Sequence, residues 1–222
     1  MGTSKQGVYG AYKGRVGNVV GSSWKGTQVL RIRPASVRNP KTDAQEETRM
    51  RFKMLARFLS SQRAAVIQGF YSLPENVTAV NAAMSVNFHE AFTGAYPDLA
   101  FDFSKVKISK GNLLVPDGLT ATAAEGATIN LSWADNTDVK MGAQEQDALV
   151  IGVYDPVSEQ GAVFSSYYRR NETTGTLKLP SVWVGRQLEV LAFYKSGADP
   201  TKIVPGFEVS NTVYGGSVTL LE

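Results

Sequence analysis

The basic side chains of the first quarter of the chain are the residues best suited to a chemical role, and that role is the binding of an anion. Residues 1–63 carry 13 Lys and Arg against three acidic residues, whereas the remainder has 10 basic and 17 acidic residues. The two parts have formal charges of about +10 and −7, although the 222-residue chain as a whole is only +3. This asymmetry predicts that the N-terminal part contacts nucleic acid, a membrane surface or the acidic part of a neighbouring copy. The candidate contact residues are Trp24, Lys25, Arg31, Arg33, Arg38, Lys41, Arg49, Lys53 and Arg57.

Catalytic and metal-binding side chains are scarce. The sequence has no cysteine, which excludes disulfides, thiolate nucleophiles and thiolate metal sites. His89 is its single histidine, and no G-x-S-x-G motif accompanies it for a serine hydrolase. A short acidic stretch does not match a calcium loop and indicates a solvated loop. We therefore predict no catalytic residue, no metal, no cofactor and a protein that is not an enzyme. The acidic residues of that stretch are Asp135, Asp138, Glu145 and Asp147.

Residues 1–40 form a basic segment rich in glycine. Its short apolar stretches predict two or three strands joined by tight turns. It contains neither a Walker phosphate loop nor a dinucleotide-binding fingerprint. In its last strand, Leu30 and Ile32 would share one face and two arginines, Arg31 and Arg33, the other. Two arginines on one strand face are either a solvated edge that discourages aggregation or a surface that faces an anion.

Helices are predicted in the next part of the chain. The first covers residues 42–59, because Thr42 is a good N-cap and Gln45 completes a capping box. A second is predicted over residues 62–71 and a third over residues 76–93. Apolar residues at helical spacing form the buried stripe of the first helix: Met50, Met54, Leu55, Phe58 and Leu59.

Three basic residues of the first predicted helix follow one another at intervals of four: Arg49, Lys53 and Arg57. This spacing places them on one helix face, which we call the basic ridge. Such a ridge is an ordinary solvated face when it occurs alone. Here it follows a basic strand, so it would extend a single basic region.

From about residue 105 the apolar residues recur with a period of two, in short stretches separated by turns. About seven strands without intervening helices predict an antiparallel β-sandwich. Trp133 lies where fibronectin-type and immunoglobulin-like sandwiches bury a core tryptophan, and the absence of cysteine favours the fibronectin III type. Strands are predicted at residues 106–108, 113–115, 129–133, 149–154, 162–168, 176–179, 188–194 and 207–220.

The predicted fold class is α+β, mainly β, in three parts. Residues 1–40 form a basic hairpin or arm, residues 41–100 a helical segment, and residues 101–222 a fibronectin III-like or immunoglobulin-like sandwich. We expect a fragment that begins after about residue 100 to fold alone.

Two stretches of the sequence resemble a known family. The first is GRVGNVVGSSWKG followed by RIRPASVRNPKTDAQEETRMRFKMLARFL, and the second combines DALVIGVYDP with VSNTVYGG. Together they resemble an uncharacterised family found in Bacteroides-type bacteria and their phages. Its members join a basic, glycine-rich N-terminus and an N-P-x-T-x-A-Q helix to a C-terminal sandwich. The resemblance covers nearly the whole chain and implies a fold and a virion or prophage context, but no activity.

The sequence favours a non-enzymatic structural protein that takes part in an assembly, such as a component of a phage virion. Its partners would be further copies or other structural proteins, contacted through the basic N-terminal part. No stretch reaches the roughly 18 to 20 apolar residues of a membrane span, and the start lacks a secretory signal. We therefore expect no membrane partner, and a location in a virion or in the cytoplasm.

Two other functions remain open. A nucleic-acid-binding protein would use the basic N-terminal region, where the aromatic residues Tyr9, Tyr12 and Trp24 alternate with basic ones. A carbohydrate-binding or adhesive sandwich would instead present exposed aromatic rings on one face. Candidates for such rings are Tyr167, Tyr168 and Trp183.

Overall fold

The computed structural model of the protein describes residues 3–4, 10, 12–24, 26–36, 39–71, 77–197 and 208–222. The chain divides into two compact units, which are Met1–Thr42 and Asp43–Glu222. We refer to them as the N-terminal unit and the C-terminal unit.

The N-terminal unit is an antiparallel sheet of four strands in the order β1-β2-β3-β4. This confirms the prediction of short strands joined by tight turns. A carbon atom added at Gly21 of the third strand would collide with the carbonyl oxygen of Tyr12, so the close approach of these strands requires glycine. The strands are β1 (Thr3–Ser4), β2 (Tyr12–Val16), β3 (Val19–Trp24) and β4 (Thr27–Ile32).

Three helices open the C-terminal unit, as predicted: α1 (Asp43–Ser61), α2 (Arg63–Gly69) and α3 (Ala79–Glu90). Their bounds lie within a few residues of the predicted ones. In α1, Leu55 and Phe58 are fully buried, as the predicted apolar stripe requires. A short pair of strands follows, β5 (Phe92–Thr93) and β6 (Ala100–Phe101).

Two antiparallel sheets then form the predicted sandwich. One has three strands in the order β11-β8-β7, and the other has four in the order β10-β9-β12-β13. Trp133 is buried between the sheets, and its indole N–H donates to the carbonyl oxygen of Arg170 at 3.0 Å. The strands are β7 (Asp117–Ala124), β8 (Thr128–Ala134), β9 (Ala148–Asp155), β10 (Gln160–Arg169), β11 (Thr174–Lys178), β12 (Gln187–Lys195) and β13 (Val213–Thr219).

The helices cover the outer face of the four-stranded sheet. Val150 and Tyr154 of β9, with Leu191 and Phe193 of β12, are buried in one hydrophobic cluster with α1, α2 and α3. Alternate residues of the same two strands belong to the core of the sandwich. β9 and β12 are therefore buried on both faces, and the C-terminal unit has three layers. This explains why β9 is almost continuously apolar instead of alternating.

Gln62, which separates α1 from α2, anchors the helices to the sheet. It is completely buried, and its side-chain amide donates to the carbonyl oxygen of Val153 at 2.9 Å. Two glycines of the sheet, Gly152 and Gly161, leave the space that this side chain occupies, because a Cβ at either would collide with it. The contact joins helix and sandwich by packing and by a buried hydrogen bond.

The structure contains one strand that was not predicted, and two of the predicted strands do not form. β7 was not predicted, because its small residues give a weak pattern. Residues 106–108 and 113–115 do not form named strands, although Leu113 makes a single bridge to Ser210. At residues 107–109 the backbone amides bond to side chains instead of to a strand. Asn87 accepts from the amide of Lys107 at 2.7 Å, and the Thr212 hydroxyl accepts from the two amides that follow.

The predicted limit between a helical segment and a sandwich, at residue 100, stays a prediction. The hydrophobic cluster that the helices and the sheet share crosses this limit. Residues 101–222 therefore share part of their buried core with the three helices.

Candidate functional site

Seven of the nine candidate contact residues lie within the described part of the chain, and two, Lys25 and Arg38, lie outside it. Trp24 is 56% exposed, and the six basic residues are exposed or half-buried at the surface. The N-terminal unit contains four of the seven and the C-terminal unit the other three. The four are Trp24, Arg31, Arg33 and Lys41, and the three are the residues of the basic ridge.

The register of the N-terminal sheet gives it two chemically different faces. Arg15, Val20 and Arg31 are paired across β2, β3 and β4, so their side chains share one face, and Trp24 lies farther along the same face of β3. We call this the basic face. This register agrees with the prediction that Arg31 lies on the opposite face of the strand from Leu30 and Ile32.

The opposite side of the sheet is the apolar face. Val16 pairs with Val19, and Val19 pairs with Ile32, while Leu30 lies two residues along β4. All four side chains are exposed, with Leu30 at 59% and Ile32 at 77%. β4 is also an edge strand, and each of its six residues is exposed. Exposed edges and apolar faces are where sheets pair with other chains.

Among the described residues of the N-terminal unit, only Gly10 and Gly21 are buried, and neither has a side chain that could form a core. The unit carries eight Lys and Arg and no acidic residue, whereas the C-terminal unit has 15 basic and 20 acidic residues. The formal charges are therefore +8 and −5. The candidate contact residues do not include those of the apolar face. The alternation along residues 28–33 was the sequence signal that could have identified this face.

The basic ridge of α1 is largely neutralised by neighbouring carboxylates. Arg49 forms an ion pair with Glu46 one turn earlier, and Arg57 forms one with Glu159 of the turn between β9 and β10. The hydrogen bond and charge of Glu159 raise the pKa of Arg57 further. Lys53 is exposed between them. The ridge therefore presents less net charge than its three basic residues suggest, and its role in binding stays a prediction.

The acidic stretch near residue 140 is only partly the solvated loop that the sequence predicts. Asp135 and Asp138 accept hydrogen bonds from backbone amides two residues later. Asp147 is instead completely buried and pairs with the buried Arg170 at 3.0 Å. Burial raises the pKa of Asp147, whereas hydrogen bonds from the Gln144 amide and from Arg170 lower it. The prediction was wrong for Asp147, because its partner is 23 residues away.

The buried Arg170 holds one end of the sandwich together. Its guanidinium donates to Asn136, to the carbonyl oxygen of Leu114 and to Asp147, and it stacks 3.9 Å from the ring centre of Tyr194. Burial also raises the pKa of the Tyr194 hydroxyl. All these groups are inside the fold, so we assign them a structural role.

An aromatic platform for sugars does not form from the predicted residues. Trp183 is 4% exposed and belongs to the core of the sandwich. The Tyr168 hydroxyl is bonded to both backbone groups of Thr176 on the edge of β11. Tyr167 alone of the three presents a largely exposed ring, at 67%.

The described residues contain no group of three or more His, Asp or Glu side chains arranged to hold a metal ion. Among the helices that the structure describes, none has both the length and the apolar composition needed to cross a membrane.

The sequence over residues 10–216 matches a family described as Family of unknown function (DUF6266). The chain belongs to this family. The match agrees with the predicted resemblance to an uncharacterised family, while the Bacteroides and phage context of that resemblance stays a prediction. No curated protein sequence matches this DUF6266 chain.

Among solved structures, the chain is similar to fibronectin type III domains. It is 17% identical to that of the human collagen alpha-1(XX) chain, over 51% of this chain and 90% of that domain, with a TM-score of 0.35. It is 11% identical to a fibronectin type III domain of human contactin 1, over 59% and 94%, with a TM-score of 0.32. The fibronectin III-like sandwich of this DUF6266 member consists of one three-stranded and one four-stranded antiparallel sheet.

Proposed function

We propose that this protein is a non-enzymatic structural protein whose N-terminal sheet attaches it to a neighbouring subunit of a multi-subunit complex. The observation that carries the proposal is the apolar face of the N-terminal sheet, whose side chains are exposed in the isolated chain. A phage virion is the context that the family resemblance suggests for such a complex.

The apolar face has the properties of an interface that is covered in the assembled state. Four aliphatic side chains lie together on it, and Leu30 and Ile32 are more than half exposed. Burying an aliphatic side chain completely is worth roughly 1.5–3 kcal/mol, so covering the exposed parts of these two contributes about 2–4 kcal/mol. The contact would also stabilise the sheet itself, since none of its described side chains is buried in the isolated chain.

Nucleic-acid binding is the second candidate, and the basic face favours it. Arg15 and Arg31 flank the middle strand, and the exposed Trp24 lies on the same face, where it could stack on a base. Of the other two aromatic residues in this hypothesis, Tyr12 is in β2 and Tyr9 lies outside the described residues. Nucleic-acid binding alone leaves the apolar face without a role, so we place it second.

The proposal is tested by comparing two variants of the full chain. Leu30→Thr/Ile32→Thr replaces the two most exposed side chains of the apolar face with threonine, a polar β-branched residue suited to a strand. The matched control, Val20→Thr/Val29→Thr, makes the same kind of change on the basic face of the same hairpin. Light-scattering mass across a size-exclusion peak, with the ratio of absorbance at 260 and 280 nm, is measured for each protein at low salt.

We expect the wild-type protein and the control to form an oligomer free of nucleic acid, and the apolar-face variant to lose it. If the apolar-face variant has the same mass as the wild-type oligomer, the N-terminal sheet does not mediate assembly and the proposal is wrong. A wild-type monomer that carries nucleic acid would overturn the proposal in favour of the second candidate.

A further inference from the structure

We infer that the subunit contacted by the apolar face is a second copy of this chain, reached through its C-terminal unit, so that copies join head to tail. This inference rests on the proposed assembly role and adds the identity of the partner. It is carried by the charges of the two units together with the position of the exposed apolar residues.

The two units have opposite charge to an unusual degree. The N-terminal unit has eight basic residues and not one acidic residue, and the C-terminal unit has five more acidic than basic residues. Complementary potentials steer association and suppress contacts between surfaces of like charge. Every copy therefore carries both a strongly cationic element that exposes apolar side chains and an anionic body that attracts it.

The alternative symmetric contact pairs two N-terminal sheets through their apolar faces. Stacked sheets lie about 10 Å apart, and the basic side chains of β2 and β4 point away from such a contact, so they lie farther apart than the Debye length of about 8 Å at physiological salt. The symmetric contact therefore brings two units of +8 together with a weak residual repulsion and no electrostatic attraction. Contact between an N-terminal unit and the C-terminal unit of another copy brings charges of +8 and −5 together instead.

A head-to-tail contact joins two different surfaces. Such a heterologous interface leaves one free donor sheet and one free acceptor surface on every pair of copies, so it closes into a ring or continues as a filament. In a symmetric twofold dimer, in contrast, both copies contribute the same surface, and no contact surface remains free for a further copy. The two arrangements respond differently to a subunit that lacks only the donor sheet.

The experiment mixes wild-type protein with an affinity-tagged Leu30→Thr/Ile32→Thr variant of the full chain. The variant loses the two most exposed side chains of the apolar face but keeps the whole C-terminal unit, so it can accept a wild-type sheet but cannot donate its own. We expect the tag to capture wild-type protein. Each variant subunit ends the row of copies that it joins. In an equal mixture half of the subunits are variants, so an open assembly is reduced to a mean of about two subunits. A thermal melt of the variant checks that its C-terminal unit is folded.

The tagged Val20→Thr/Val29→Thr control is expected to enter the assemblies without shortening them. If the apolar-face variant stays monomeric while wild-type assemblies keep their mass, the contact is sheet to sheet and the inference is overturned, although the proposed assembly role stands. If the variant assembles alone as the wild-type protein does, both the inference and the proposed function fail. If the wild-type copies stay unassembled and their ratio of absorbance at 260 and 280 nm shows bound nucleic acid, the partner is nucleic acid and the inference fails.

Discussion

A fragment that begins at residue 101 tests how the C-terminal unit is built. The sequence pattern alone predicts that such a fragment folds as an independent sandwich. The structure predicts the opposite, because removing residues 1–100 also removes α1, α2 and α3 from the outer face of the four-stranded sheet.

The cost of this truncation follows from the side chains that the helices cover. Val150, Leu191 and Phe193 are completely buried, and Tyr154 is 3% exposed. Exposing a buried side chain of this size costs roughly 1.5–3 kcal/mol, so the four together cost about 6–12 kcal/mol. Whole domains are stable by only about 5–15 kcal/mol. We therefore expect residues 101–222 to retain little or no stability as an isolated fragment.

The assay compares residues 101–222 with residues 43–222, which keep the helices. Both fragments are purified and unfolded in urea while near-ultraviolet circular dichroism and light scattering are recorded. The longer fragment is expected to unfold in one cooperative transition as a compact particle. The shorter one is expected to aggregate or to show no cooperative transition. A monomeric 101–222 fragment with a transition like that of 43–222 would refute the reasoning and support a limit at residue 100.

Three further predictions concern single side chains. Arg170→Met leaves the buried Asp147 carboxylate without its partner and is expected to cost about 3–5 kcal/mol in urea unfolding, most of it recovered in Arg170→Met/Asp147→Leu. Gly21→Val is expected to abolish assembly by blocking the N-terminal sheet while leaving the melting temperature of the C-terminal unit unchanged. Burial raises the pKa of Asp155, but hydrogen bonds from Ser158, Arg186 and the backbone lower it by more. Its ionised form therefore stabilises the fold above the unfolded pKa of about 4, and this contribution is lost as the pH falls through the lower folded pKa. Asp155→Asn should thus reduce the melting temperature at pH 7, by an amount that decreases as the pH falls through the folded pKa of Asp155.

Each of these has an outcome that would contradict it. A double variant no more stable than Arg170→Met would show that Arg170 acts through packing and not through its charge. Normal assembly of Gly21→Val would mean that the sheet is not needed for the contact. An effect of Asp155→Asn that stays constant with pH would exclude the carboxylate charge as its cause.

The local parts of the fold were predictable from the sequence. The first helix begins and ends near its predicted bounds, since its capping residues and its apolar stripe lie within a few turns of one another. The separation of Leu30 from Arg31 in the N-terminal sheet was also predictable, because alternation along a strand depends on the strand alone. The charge asymmetry needs no structure at all.

The tertiary structure decided the features that depend on residues far apart in the chain. Asp147 is buried because Arg170 is folded over it, and residues 106–108 are held by Asn87 and Thr212 instead of by a neighbouring strand. The local sequence pattern around these residues does not identify their distant partners.

The same distinction applies to the layers of the C-terminal unit and to the candidate site. The apolar run of β9 shows that both of its faces are buried, but only the fold shows that helices cover one of them. The candidate residues were chosen by charge, whereas the register and exposure of the strands reveal the apolar face on the other side of the same sheet. A sequence determines which residues alternate and which charges cluster, and the folded chain determines which of their faces remain uncovered, because burial is a property of packing between distant segments.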